Sequence, residues 1–302
     1  MKRLRIEDYH NLKGYFNRQP YRISTYSLPS LIVWSNACYQ SYYDLVDDSV
    51  IIYTEAVADT SNRYLILPIL TSGQPSVDML VDLLVKKGLN KISFVPEDYI
   101  EHTGINTLSP LFDLSEQPEY EDYLYLTKDL VQLRGNRYAK KRNLIHQFTR
   151  EYSTKNRVAT GPITKADVSE CLDFLEKWCA QRSCEAGQEE NADCEKSAVI
   201  QALRSIEDLG WRGLLVRLDG EVNAFAIMSH LTRQIGVLNF EKAYPQIKGL
   251  YQFLDNECAR QLFCDYEYIN KESDMGIAAL ADSKKSYFPV AKLKSYCLTL
   301  KS

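Results

Sequence analysis

The sequence predicts a mixed α/β protein of two lobes, each a twisted mixed sheet flanked by helices. Hairpin, helix and strand signals occur in that order in the first half and recur in the second. A strongly basic stretch separates the halves. The length of 302 residues and the 45% apolar content suit two ordinary domains or one large one.

In the first half, β-formers run from Asp48 to Glu55 and from Arg63 to Leu70 around a turn-like Asp59-Thr60-Ser61-Asn62. Pro75 opens a helical run from Ser76 to Val85 that stops at Gly88. Short strands are expected at Lys91–Val95 and Tyr120–Thr127. In the second half the pattern predicts helices over 164–181 and 194–209, the latter closed by Gly210. Asp219-Gly220 joins two β-rich runs, 213–218 and 221–230, as a hairpin turn. A strand over 234–240, a helix over 249–263 and a strand over 266–269 follow. The acidic segment Arg182 to Lys196, with Gly187 and two cysteines, reads as an exposed excursion between helices.

Residues 128–157 hold nine basic side chains against two acidic ones, a net +7 in a chain whose total is -4. Within it Tyr138, Ile145, Phe148 and Tyr152 form one helical stripe. The segment 131–158 is therefore expected to be a basic linker helix, docked by its aromatic side between lobes at 1–130 and 159–302. Overall acidity argues against indiscriminate coating of nucleic acid, while a local patch still holds a polyanion.

The eight cysteines are scattered and read as free thiols, and the four histidines are equally dispersed, so no metal site is expected. No apolar run follows the charged start, and none approaches eighteen residues. A cytoplasmic protein without an integral membrane segment is the expectation.

Several blocks then carry a resemblance. They are Leu133-Arg134-Gly135-Asn136-Arg137-Tyr138-Ala139-Lys140-Lys141-Arg142-Asn143, Asp219-Gly220-Glu221-Val222-Asn223-Ala224-Phe225, Phe240-Glu241-Lys242-Ala243, Lys248-Gly249-Leu250-Tyr251 and Tyr268-Ile269-Asn270-Lys271-Glu272. In this order, over roughly residues 20–298, the chain resembles the family of the phosphatidylglycerol lysyltransferase C-terminal domain. The resemblance implies two tandem acetyltransferase-like lobes of the GNAT or Fem type. It also implies transfer of an amino acid from aminoacyl-tRNA to a lipid headgroup or peptidoglycan precursor. The chain departs from the family pattern where arginines are replaced by Lys271 and Ala281, which keep the charge without the fork and lose both, respectively.

Acyl transfer needs a deprotonated nucleophile and a stabilised oxyanion. The residues expected to serve it are Glu241 as base or amine-orienting group, Lys242 and Lys248 as oxyanion or ligand contacts, and Tyr251 and Tyr287 as hydroxyl donors. Glu272 and Asp274 would bind a substrate ammonium or act as base. Gly249 opens a helix whose free N–H groups suit a phosphate. Lys284 and Lys285 would complete a phosphate clamp, and Arg137, Lys140, Lys141 and Arg142 would hold a phosphate-rich donor. For each, packing, capping or solvation is the competing role. The loop Gln246-Ile247-Lys248-Gly249 has one glycine, a poor match to an acyl-CoA pyrophosphate loop.

The leading expectation is a transferase with no tightly bound cofactor. It would take an activated acyl group from aminoacyl-tRNA, or second from acyl-CoA, to an amine or hydroxyl on a small molecule, lipid or peptide. The alternative is an inactive module binding a phosphate-rich or peptide ligand. The transfer reading expects Lys242, Lys248, Glu272 and Lys285 to converge on one cleft.

Overall fold

The computed structural model describes the chain apart from residues 37, 184–188 and 302, and gives only the backbone over 182–183 and 189–192. The first half lays down β1 (Lys2–Arg3), β2 (Tyr39–Val46), β3 (Ser49–Ala56), β4 (Arg63–Leu65), β5 (Ile69–Leu70), β6 (Lys91–Pro96) and β7 (Phe112–Glu116). Then come β8 (Asp122–Leu126), β9 (Val158–Pro162), β10 (Arg212–Leu218), β11 (Glu221–His230), β12 (Ile235–Ala243), β13 (Tyr268–Asn270), β14 (Ala291–Leu293) and β15 (Ser295–Leu300). An eight-stranded sheet has the order β1-β2-β3-β4-β6-β15-β7, with β5 beside β3, and a seven-stranded sheet the order β14-β8-β13-β12-β11-β10-β9. Both are mixed: β4–β6 and β12–β13 are parallel, and the other pairs are antiparallel.

The sheets do not divide at the basic stretch. Strand β8 comes before it yet pairs with β13 and β14, while the C-terminal β15 lies between β6 and β7 of the first sheet. Each lobe thus borrows a strand from the far side of the linker.

The helices are α1 (Tyr9–Phe16), α2 (Leu28–Trp34), α3 (Val77–Lys87), α4 (Glu97–Thr103), α5 (Ile105–Leu108), α6 (Thr127–Gln132), α7 (Ala139–Glu151), α8 (Val168–Ser183), α9 (Glu189–Arg204), α10 (Leu250–Gln261) and α11 (Ala278–Lys285). Local chemistry explains several boundaries. Ser76 caps α3 by accepting from Met79 N at 3.2 Å, and Gly88 ends it in the left-handed conformation. Asp219 and Gly220 both take positive φ (52° and 89°), the geometry that a two-residue hairpin turn demands.

One large core spans both lobes, joining residues of the first sheet and α2 to α8, α9 and one face of the second sheet. A second core lies on the other face of that sheet, under α6, α7 and α10. There Phe148 of α7 is fully buried and stacks on Phe253 of α10 at 4.7 Å.

Two expectations need correction. Cys38 and Cys194 are not free thiols: they form a disulfide across 156 residues, because packing of α2 on α9 brings their Cα atoms to 5.9 Å. Linear spacing carries no trace of such a pair. Cys171, Cys258, Cys264 and Cys297 are free thiols, and Cys184 lies outside the described residues. The excursion expected over 182–196 is also largely helical, since α9 begins at Glu189; its remainder, 184–188, lies outside the described residues.

Gly249 precedes α10 at φ +85°, and a Cβ there would stand 2.2 Å from the Leu144 carbonyl oxygen of α7. Gly249→Ala therefore meets both backbone strain and a clash with main chain, and should cost about 2–4 kcal/mol. Urea unfolding checks this as a lower midpoint at unchanged slope. Opening the long covalent loop should cost on the order of 2–4 kcal/mol. Reductant should lower the unfolding midpoint of the natural protein and leave that of the Cys38→Ser, Cys194→Ser double variant unmoved.

Candidate functional site

Successive residues of a strand face opposite sides of its sheet. Glu241 and Lys242, neighbours on β12, are separated in this way. Lys242 faces α8 and α9, where its ammonium lies 2.6 Å from Glu195 Oε1 and 4.6 Å over the Trp178 ring. Glu241 points to the α10 side. Strands β12 and β13 pair only through Ile235–Val237 and Tyr268–Asn270. From Leu238 onward β12 keeps β11 as its one strand partner among the described residues, so a wedge opens between β12 and β13. A bulge at Asn239 marks its mouth, since Leu238 and Phe240 pair with the consecutive residues Met228 and Ile227.

The wedge is filled with charge. Lys271, the first residue after β13, ion-pairs with Asp255 of α10, and its ammonium lies 3.8 Å from Glu241 Oε2. These side chains are 9%, 7% and 20% exposed. Two ammonium groups lie over the Tyr287 ring, Lys141 at 3.7 Å and Lys271 at 4.8 Å from its centroid. Lys141 also donates to Ser286 Oγ at 2.7 Å. Glu241 Oε1 is buried and has no hydrogen-bond partner among the described residues.

Burial, with Asp255 nearby, raises the Glu241 pKa to about 7 against the pull of Lys271. Burial alone would depress Lys271, but the carboxylates of Asp255 and Glu241 outweigh it and hold its pKa above the ordinary value. Burial lowers Lys141 to about 8, and burial beside Asp255 and Glu241 pushes the Tyr287 phenol well up. A carboxyl group poised near neutrality with a free oxygen can take a proton. The fixed Lys271 ammonium beside it can offset developing negative charge.

Glu272 forms the other side of the wedge. It sits at φ +57° and accepts from Asn239 Nδ2 at 2.9 Å. Lys284 reaches from α11 and donates to the carbonyls of Lys271, Glu272 (3.0 Å) and Ser273 (2.8 Å), fixing this turn. Burial and the neighbouring Asp122 raise Glu272 to about 8, while burial lowers Lys284 to about 8. Asp274 braces the next turn, accepting from Tyr123 OH at 2.6 Å and Gly276 N at 2.9 Å.

Of the residues expected from sequence, the structure thus brings together Glu241, Tyr287 and Lys141, with Glu272 and Lys284 alongside. It does not gather Lys242, Lys248, Glu272 and Lys285 in one cleft. Lys248 and Lys285 are exposed, and Lys242 is on the far face of the sheet. Tyr251 is half-buried in the first turn of α10, packed against the second core, and Gly249 is covered by α7. Arg137 and Lys140 are exposed, Arg137 pairing with Asp129 at 3.0 Å and lying 5.5 Å over the Phe288 ring. Arg142 donates to the Leu133 and Gly135 carbonyls, closing the turn ahead of α7. A cavity of about 20 Å³ beside Tyr9, Tyr26 and His230 contains none of these residues. Sequence reasoning missed Asp255 and Asn239. The signal for Asp255 was an acid flanked by Leu254, Cys258 and Ala259 on the buried stripe of a helix.

Two mixed sheets flanked by helices, one with its central strands splayed over a charged cluster, define an acetyltransferase-type fold. A tandem GNAT protein from the clavulanic acid biosynthesis pathway shares it, with a TM-score of 0.50 at 7% identity over 99% of this chain and 97% of that one. The family model described as "Phosphatidylglycerol lysyltransferase, C-terminal" matches residues 17–299, and the chain belongs to that family. It is similar to a conserved protein of unknown function from Bacteroides thetaiotaomicron, 27% identical over 98% and 97% of the two chains, with a TM-score of 0.87. It also shares the fold of L-PGS from Bacillus licheniformis, 12% identical over 97% and 91%, with a TM-score of 0.62. No helix among the described residues is long and apolar enough to cross a membrane.

Removing Lys271 leaves Asp255 buried without its counter-ion. Lys271→Met should cost about 3–5 kcal/mol, and adding Asp255→Leu should restore most of it. Denaturant midpoints of the three proteins measure this; a double variant no better than the single would show that the pair does not govern the loss.

Proposed function

We propose that this protein transfers an activated acyl group, taken from aminoacyl-tRNA in preference to acyl-CoA, to an amine or hydroxyl acceptor. The observation that carries this reading is Glu241, whose buried Oε1 has no hydrogen-bond partner among the described residues while its Oε2 lies 3.8 Å from the Lys271 ammonium. The acceptor attacks the ester carbonyl and gives its proton to Glu241. Lys271 and the Tyr287 hydroxyl offset charge on the tetrahedral oxygen. The bond from the carbonyl carbon to the donor oxygen then breaks, and the proton passes from Glu241 to that leaving oxygen.

The family name, which describes lysyl transfer to a phospholipid, favours an aminoacyl donor. So do the exposed Arg137, Lys140 and Lys285 on the segments that carry Lys141 and Tyr287, a surface suited to phosphates. The single glycine at the start of α10, covered by α7, favours acyl-CoA less. A binding module is the second reading, favoured by the burial of Tyr287 (6% exposed) over the cluster. In the transferase, Tyr287 and Lys141 must part to admit substrate.

The test supplies purified protein with labelled aminoacyl-tRNAs and acyl-CoAs and a cell extract as acceptor. Protein-dependent transfer of label supports the enzyme, donor binding without turnover the module, and indifference to both donors sinks the transfer reading. With a hydroxyl acceptor, the rate should fall tenfold per pH unit below about 7, because only ionised Glu241 takes the proton. Glu241→Gln should lower kcat by about 10²–10⁴ and abolish that limb.

A further inference from the structure

The first lobe reaches Glu272 by two hydrogen-bonded arms. In one, Ser27 Oγ lies 2.8 Å from Ser229 Oγ, Ser229 donates to Asn239 Oδ1 at 2.7 Å, and Asn239 Nδ2 donates to Glu272 Oε1 at 2.9 Å. Each hydroxyl has one proton. Since Ser229 spends its own on Asn239, Ser27 must donate to Ser229, and the Asn239 amide is held with its NH2 toward Glu272. In the other arm, Asn270 Nδ2 donates to the Arg22 carbonyl at 3.1 Å while Asn270 Oδ1 accepts from Glu272 N at 2.7 Å. Ser27 and Ser229 are fully buried and Asn239 is 7% exposed, so solvent does not compete for these bonds. The left-handed backbone of Glu272 is a strained conformation that such over-determination maintains.

We infer that Ser27, Ser229 and Asn239 are positioning residues through which the first lobe sets the orientation and proton affinity of Glu272 in the wedge of the second. The inference rests on the transferase reading only for what Glu272 does there, namely bind a substrate ammonium. The charged groups facing Glu272 are Asp122 of β8, Lys284 of α11 and, more distantly, Glu195 of α9. The Asn239 amide stabilises the ionised form against Asp122 and burial.

Carbon-13 titration of the Glu272 carboxyl in the full chain reads the relay without any substrate. Asn239→Leu should raise the midpoint by about one pH unit. Ser229→Ala and Ser27→Ala should raise it by less, and Ser229→Thr and Ser27→Thr, which keep the hydroxyl, should leave it in place. If Asn239→Leu does not fold, the Ala and Thr pairs carry the same comparison. A midpoint unmoved in folded Ser229→Ala and Asn239→Leu overturns the relay. Transfer from aminoacyl-tRNA should fall more than tenfold in Asn239→Leu and be kept in Ser229→Thr. A moved midpoint in a protein that transfers nothing would uphold the relay and sink the transferase. A normal rate with an unmoved midpoint would do the reverse.

Discussion

Burying the ammonium of Lys271 is tolerable only because two carboxylates share it. Taking either ion from water costs several kcal/mol, and the attraction of a partner recovers this only at close range with further satisfaction nearby. Asp255 supplies the close contact, and the Tyr287 ring adds a face of negative potential at 4.8 Å. With Asp255 and Lys271 matched, Glu241 at 3.8 Å is the carboxylate without an ion pair of its own. Burial, with Asp255 nearby, outweighs the Lys271 cation and raises the proton affinity of Glu241. The ion pair that fastens β13 to α10 therefore sits beside a buried carboxyl group able to exchange a proton near neutrality.

The borrowed strands bear on the same place. Because β8 belongs to the second sheet, Asp122 and Tyr123 lie next to β13, and their contacts reach back to Ser24 and forward to Asp274. The Asp122 carboxylate accepts from Ser24 N at 2.5 Å and from Asn270 Nδ2 at 2.8 Å, so the first lobe and the end of β13 meet on one buried group. A first lobe attached only by the linker could swing independently. One that shares a core and a strand with the second is part of the wall of the wedge.

Local chemistry was legible in the sequence, and long-range pairing was not. Asp219-Gly220 specified its hairpin and Ser76 and Gly88 bounded α3, because turns and caps depend on adjacent residues. The exchange of β8 and β15 between sheets left no mark, since register between strands far apart in sequence depends on surfaces that form only on collapse. The same limit hid the Cys38–Cys194 disulfide. The grouping of Glu241 with Lys242 overlooked strand alternation, which was readable. The basic segment 128–157 divides similarly: Lys141 turns inward over Tyr287, Arg142 closes a turn, and Arg137 and Lys140 face solvent. Charge counting treats these as one patch, whereas a helix with 3.6 residues per turn sends the consecutive Lys140 and Lys141 to different environments.

The two positions where the resemblance implies arginine, Lys271 and Ala281, take on a physical sense here. A guanidinium offers five donors in a rigid fork, whereas an ammonium is a compact point charge that a single close carboxylate largely satisfies. Lys271 spends its charge on Asp255, and Ala281 contributes none. A further cation beside the Tyr287 ring is Lys141 on the linker helix, which lies closer to that ring than Lys271 does. That cation depends on the docking of α7, and α7 is docked through Phe148 and the close approach of Leu144 to Gly249. Support for the Tyr287 ring thus comes through helix packing, which makes the electrostatics of the second lobe sensitive to a glycine that carries no charge.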